Sequence, residues 1–266
     1  METIKYLTEY YSQFCDEDSR LSSRSGSVEF MTTMHYIERY IKPGDRIMEI
    51  GAGTGKYSHA IARKGYDVDA VELIEHNIEV FRKNTQTGEK ITIKQGNALD
   101  LADFSNNTYD MTLLLGPMYH LYAKKDKLVA LNEAIRVTKQ GGLIFVAYCI
   151  SDAILLLEFF KTKKFDINDY INKGMVDPLT FSTKSEPKDI IELVRKENID
   201  ELMSGLNVTR LHYVATDGYA HHMGESIDVM SDYDFEMFLK YHYATCERED
   251  MVGISNHVVD IFRKNN

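Results

Sequence analysis

From Asp45 to Cys149 the chain alternates short β-branched and aliphatic runs with stretches whose apolar residues recur at helical spacing. Such alternation predicts a parallel sheet joined by crossover helices. Strands are expected over 46–50, 67–72, 90–94, 111–115 and 143–149. A helix over about 57–64 should stop at Gly65, where glycine can take the left-handed conformation that ends helices, and a second should cover about 76–83. The helix ahead of the fifth strand places Leu128, Leu131 and Ile135 on one face and is expected to end near Gly141-Gly142.

Two segments break this rhythm. Residues 1–42 read as helical, with Tyr6, Tyr10 and Phe14 at roughly helical spacing in a first piece and a second piece over 27–40. Residues 151–206 carry further helical stretches, interrupted near Pro178 and Pro187. A strand over 208–216, a helix over 233–247 and a strand over 257–262 follow, and this last pair of strands is expected to close the sheet. The chain thus divides into a helical start (1–42), an alternating core (43–150), a helical insertion (151–206) and closing elements (207–266), without internal repeats.

A chain of 266 residues, 44% hydrophobic and 27% charged, can bury a full core and suits one large α/β domain with insertions. The apolar run that begins at Ile154 stops at Lys161, too short to cross a bilayer. The first residues lack the basic start and continuous apolar stretch of a secretion signal, so a cytoplasmic location is expected. Cys15, Cys149 and Cys246 lie too far apart for a zinc spacing, and their odd number argues against a disulfide framework. A net charge of -10 disfavours nucleic acid, whose nonspecific attraction depends on Lys and Arg neutralising phosphates, and favours a small substrate. No pattern specifies an oligomeric state.

The strongest local signal is Gly51-Ala52-Gly53-Thr54-Gly55, which joins the first strand to the first crossover helix. A glycine-rich turn there is expected to present bare backbone amides at a helix N-terminus, where a ligand can approach closely. The spacing differs from the dinucleotide fingerprint, whose third glycine would fall at Lys56, and Lys56 is followed by Tyr57 rather than by the Ser or Thr of a phosphate-binding P-loop. Glu72 ends the second strand, where a carboxylate can accept hydrogen bonds from both hydroxyls of a ribose, each worth about 1.5–3 kcal/mol when charge-assisted. Glu49 adds a negative charge at the end of the first strand, which repels a diphosphate and favours a ligand carrying an amino group and a sulfonium. Both acids stand at the carboxyl ends of parallel strands, where open α/β sheets bind their ligands.

The run Met48-Glu49-Ile50-Gly51-Ala52-Gly53-Thr54-Gly55 resembles motif I of class I S-adenosylmethionine (SAM)-dependent methyltransferases. The resemblance continues through Glu72, Gly96-Asn97-Ala98, the fourth strand and Gly141-Gly142, covering about 40–150 and the closing strands. It implies a Rossmann-like, seven-stranded, mostly parallel sheet with helices on both faces, an N-terminal helical lid, and a helical insertion after the fifth strand that roofs the acceptor pocket. It also implies SAM as cofactor, contacted by Glu49, Gly51, Ala52, Gly53, Gly55, Glu72, Leu73, Asn97, Ala98 and Leu115. In the family the residue matching Asn97 faces the adenine, usually as an Asp, and the backbone of the next residue reads the ring. An Asn side chain still offers an acceptor and a donor. Gln140 stands where the family usually has the proline of a Pro-Gly-Gly turn, a change that touches loop stiffness.

Methyl transfer from a sulfonium is an in-line displacement, in which positioning can contribute on the order of 7–11 kcal/mol. A general base helps when the acceptor is a hydroxyl or a protonated amine. The fourth strand leads into Leu115-Gly116-Pro117-Met118-Tyr119-His120. Methyltransferases acting on exocyclic amines of nucleic-acid bases carry an Asn or Asp where Gly116 stands. The segment more closely resembles the branch that methylates small metabolites, including quinone precursors, in which a His often follows this strand. That resemblance makes His120 the candidate base, with a loop-ordering histidine as the alternative. Tyr119 becomes the candidate ring beside the sulfonium or methyl, with a core tyrosine as the alternative.

In the implied lid, Tyr11, Arg24 and Glu29 are candidates to contact the amino-acid portion of SAM or the acceptor, against a reading as a solvated face. Phe159, Phe160 and Phe165 could line an apolar acceptor pocket, with core packing as the alternative. His221-His222 invite a metal reading, but neighbours in an extended chain point apart and no third ligand is evident, so no metal is expected. The expected activity is transfer of the SAM methyl group to an O, N or C atom of a small-molecule acceptor, releasing S-adenosylhomocysteine. An RNA methyltransferase, a non-catalytic SAM-binding protein and a nucleotide-dependent dehydrogenase are the competing readings.

Overall fold

The structure is a computed structural model that describes residues 2–13 and 23–266; Phe14 and Cys15, named above, lie outside the described residues. Helices α1 (Glu2–Gln13) and α2 (Arg24–Tyr40) precede β1 (Arg46–Ile50), α3 (Lys56–Ala62), β2 (Asp67–Glu72), α4 (Glu75–Asn84), β3 (Ile91–Gln95) and β4 (Tyr109–Leu114). Helix α5 (Lys124–Val137) leads directly into β5 (Thr138–Ile150), followed by α6 (Ser151–Ile154) with a π-helical continuation over Leu155–Lys161, and by α7 (Ile167–Asn172). The chain ends with β6 (Leu193–Val194), α8 (Lys196–Met203), β7 (Val208–Ala215), α9 (Gly224–Asp228), α10 (Asp232–Thr245) and β8 (His257–Lys264).

All strands join one sheet in the order β3-β2-β1-β4-β5-β8-β7, with β6 pairing on β5 off this path. Strands β1 to β5 are parallel to their neighbours, while β8 runs antiparallel to both β5 and β7. The main path has the seven strands expected, and the two-residue β6 is an eighth. Consecutive residues of the central strands, such as Ile47 with Met48 and Phe145 with Val146, are fully buried. Both faces of the sheet are therefore covered, which is why these strands read as unbroken apolar runs rather than alternating ones.

The helix expected to end at Gly141-Gly142 stops at Val137 instead. Thr138 turns the chain: its Oγ1 donates to the Ala134 carbonyl and bonds the Thr112 hydroxyl on β4, and β-branched Val137-Thr138 favours an extended path. Gly142 serves the register shift between β4 and β5, where an added Cβ would lie 2.9 Å from the Asp110 carbonyl oxygen. Strands β3 and β4 move by only one or two residues from their expected limits. Among the described residues no helix is long and apolar enough to cross a membrane.

Candidate active site

The carboxyl ends of the parallel strands open into one cavity of about 570 Å³, inside the roughly 300–1,000 Å³ range of small-molecule sites. Its lining brings together Glu49, Gly51, Ala52, Gly53, Glu72, Leu73, Asn97, Ala98, Leu115, Tyr119 and His120, with Tyr11 contributed by α1 and Glu29 by α2. Gly55 and Arg24 are not among the lining residues. Gly55 opens α3 with φ +92°, and an added Cβ there would sit 2.5 Å from the Phe81 ring. Arg24 pairs with Asp232 and the Ser231 carbonyl, bracing α2 against the start of α10. Of the two readings of the insertion's aromatics, core packing holds for Phe159, buried against Leu155, Val176 and Tyr170, while Phe160 and Phe165 are exposed and none of the three lines the cavity. Pro187 is the insertion residue that reaches the lining.

Four of the five amides of the glycine turn are bonded within the protein rather than offered to a ligand. The N–H groups of Gly51 and Ala52 both donate to the Val71 carbonyl, that of Gly55 to the Ala52 carbonyl, and that of Gly53 to Glu72 Oε2 at 2.8 Å. This path needs the positive φ of Gly51, Gly53 and Gly55, +74°, +55° and +92°, which glycine adopts at no steric cost. At Gly51 an added Cβ would also lie 2.5 Å from Pro117 Cδ. At Gly53 it would meet nothing within 4 Å, so bare backbone faces the cavity there.

The two acids explain what the turn excludes. Glu49 Oε2 accepts hydrogen bonds from the Ser58 N–H, at 2.9 Å, and from the Ser58 hydroxyl. The carboxyl group thus fills the place at the N-terminus of α3 where a phosphate would bind, and bars a diphosphate by occupancy. Its Oε1 accepts no hydrogen bond among the described residues. Burial pushes the Glu49 pKa up to about 8, with the Ser58 bonds pulling the other way and the Glu72 charge adding to the rise.

Glu72 Oε1 accepts from the Ile74 N–H at 2.9 Å and from Asn77 Nδ2 at 3.3 Å. Burial raises its pKa as well, against those bonds. Among the described residues neither acid pairs with a Lys, Arg or His. Two buried carboxylates at one cavity, each with lone pairs to spare, complement a ligand that carries positive charge and hydroxyl donors. Asn97 Oδ1 accepts the Leu99 N–H at 3.0 Å, so the group its side chain offers the cavity is the NH2 donor.

Tyr119 and His120 enter the cavity on a 3-10 turn after β4. His120 Nδ1 lies 2.8 Å from the Ile190 carbonyl, which can only accept, so Nδ1 carries the proton. In the neutral ring Nε2 is then the acceptor, 2.8 Å from the Tyr11 hydroxyl. Tyr119 packs edge-on against the same ring at 4.7 Å. Sequence reasoning named Tyr11, Tyr119 and His120 separately but missed Ile190 and the contact itself, which bridges positions 109 residues apart and leaves no local signal.

Another part of the site was not foreseen. His257 Nδ1 lies 2.7 Å from Asp217 Oδ2 and 3.5 Å from Glu29 Oε2, and His221 Nε2 lies 3.3 Å from the same Asp217 oxygen. Residues after β7 turn rather than extend, so Asp217 and His221 meet at i,i+4 spacing while His222 points away to the Ile254 carbonyl. The two histidines diverge as expected. Asp217 stands four residues before His221, and the fold adds Glu29 and His257 from far along the chain.

A methyltransferase-domain family profile matches residues 48–146. The ubiquinone biosynthesis O-methyltransferase of Vibrio cholerae is 24% identical over 198 residues, which are 70% of this chain and 71% of that protein. The demethylmenaquinone methyltransferase of Clavibacter sepedonicus is 32% identical over 104 residues, 39% of this chain and 40% of that one. Among solved structures, a SAM-dependent methyltransferase of Methanosarcina mazei shares the fold with a TM-score of 0.57 at 18% identity, over 86% of this chain and 97% of that chain.

Proposed function

We propose that the chain, which is similar to SAM-dependent methyltransferases along its core, methylates a hydroxyl of a small-molecule acceptor, with His120 as the general base. SAM, when bound, supplies the methyl group and the thioether leaving group. Glu72 would hold the ribose hydroxyls, Glu49 the amino group, Asn97 and Ala98 the adenine, with the bare backbone of Gly53 and the side chains of Leu73 and Leu115 as packing surface. Thr3, Ile4, Leu7 and Tyr11 of α1 line the cavity and shield it from water.

The observation that carries the acceptor reading is the fixed tautomer of His120. The acceptor hydroxyl passes its proton to the Tyr11 oxygen as the Tyr11 hydroxyl proton moves to Nε2, and the cation so formed keeps Nδ1–H on the Ile190 carbonyl and donates Nε2–H to the Tyr11 oxygen. The Vibrio relative is an O-methyltransferase, which supports this choice of atom. Gly116 in place of an amine-anchoring Asn or Asp, and the net charge of -10, favour a small molecule over RNA. The test is methyl transfer to a panel of small hydroxylated acceptors. His120→Ala is expected to lower kcat by about 10²–10⁴-fold while S-adenosylhomocysteine affinity is retained. Full activity in that variant would remove His120 as base, and RNA binding with a steep salt dependence would redirect the acceptor reading.

A further inference from the structure

We propose that Glu29, Asp217, His221 and His257 bind one divalent transition-metal ion, of the Zn2+ type, at the edge of the cavity, where it holds an oxygen or sulfur donor of the acceptor. The role in acceptor binding rests on the methyltransferase reading; the ion site itself does not.

Each of the four residues offers one ligand atom, and these atoms all lie within 4.8 Å of one another. A tetrahedral Zn2+ with bonds of about 2.0–2.2 Å sets its ligand atoms about 3.3–3.6 Å apart. The separations of 3.3 and 3.5 Å fall within that spacing, and the 2.7 Å between His257 and Asp217 is a hydrogen bond that ion binding would open. The ligands come from three separate parts of the chain, α2, the turn after β7 and the start of β8, so their convergence is a product of the fold.

Asp217 is held as a metal-binding carboxylate usually is. It is fully buried, its Oδ1 accepts the Ser255 hydroxyl at 2.5 Å, and its Oδ2 is left facing both imidazoles. Such outer bonds orient a ligand toward its ion. Two imidazoles with two carboxylates suit Zn2+, Mn2+, Fe2+ or Co2+ rather than Mg2+ or Ca2+, which take oxygen ligands. Glu29 and His257 belong to the cavity lining, whereas Asp217 and His221 do not. The ion would therefore be backed by two ligands and turn its open position to the cavity, where it lowers the pKa of a coordinated hydroxyl or thiol.

The test uses the full chain, stripped with a chelator and titrated separately with Zn2+ and with Co2+ by calorimetry and visible absorption. One ion per chain is expected, with Co2+ bands of low-symmetry nitrogen and oxygen coordination. His221→Ala and Glu29→Gln should each weaken Zn2+ binding by at least about 10–100-fold, while His222→Ala keeps the wild-type affinity. S-adenosylhomocysteine affinity of the His221→Ala sample, whose side chain lies outside the cavity lining, should stay at the wild-type level, which separates loss of the ion from loss of the fold. Absence of saturable Zn2+ and Co2+ binding, or undiminished Zn2+ affinity in either ligand variant, would overturn the site. Should a variant fail to fold, the wild-type Co2+ spectrum still decides the question. Cofactor binding without ion binding sinks this proposal alone, and ion binding without methyl transfer sinks only the acceptor reading.

Discussion

Cofactor affinity in the wild-type chain should tighten as pH rises toward 8, and Glu49→Gln should bind more weakly with that dependence gone. Glu49 is buried at the cavity and its pKa is pushed up to about 8, so near neutral pH most of the ligand-free protein holds it protonated. Only the carboxylate attracts the ammonium group of SAM or S-adenosylhomocysteine. Below about pH 7 the ionised fraction falls about tenfold per pH unit, and affinity falls with it, about 1.4 kcal/mol per unit. The whole rise from 4.5 to about 8 corresponds to at most about 5 kcal/mol, part of which the ligand's charge recovers.

Stability carries the opposite sign. Because the folded pKa lies above the unfolded one, the native state keeps a proton that the unfolded chain releases between about pH 4.5 and 8, and the ligand-free protein loses stability as pH rises through that window. Gln keeps an acceptor for Ser58 and removes the titration. Calorimetry with S-adenosylhomocysteine in two buffers of different ionisation enthalpy should show close to one proton released per ligand near neutral pH. A wild-type affinity that is flat with pH and releases no proton would refute the reasoning, as would a Glu49→Gln variant with the wild-type profile.

Gly53→Val should abolish S-adenosylhomocysteine binding at a stability cost of about 1–2 kcal/mol from its positive φ, since its side chain would enter open cavity; calorimetry and thermal unfolding read the two effects separately. Gly51→Ala should lower the unfolding midpoint more than Gly53→Ala, because its Cβ would lie 2.5 Å from Pro117. Tyr11→Phe removes the hydroxyl bonded to His120 Nε2 and should lower kcat by about 2–10-fold, with cofactor affinity unchanged in a binding titration.

The parallel core was legible because each strand and crossover helix announces itself within a few residues, and Glu49, Gly53 and Glu72 take their places from strand ends alone. The chemistry of the turn was less so. That Glu49 caps α3 through Ser58, and that the amides of Gly51, Ala52 and Gly53 are spent on Val71 and Glu72, are facts of three-dimensional closure. The end of α5 was misplaced because glycines signal helix ends in general, whereas here Val137-Thr138 stops the helix and Gly142 serves a strand irregularity. The Tyr11–His120–Ile190 chain and the Glu29–Asp217–His221–His257 cluster join residues far apart in sequence, and only the assembled sheet brings them together.

Whether the cavity holds SAM is decided by titrating the chain with S-adenosylhomocysteine in a calorimeter, with NAD offered as a competitor. One saturable site per chain is expected, with an affinity that NAD does not alter. No binding at millimolar S-adenosylhomocysteine, or tighter binding of NAD, would contradict this expectation.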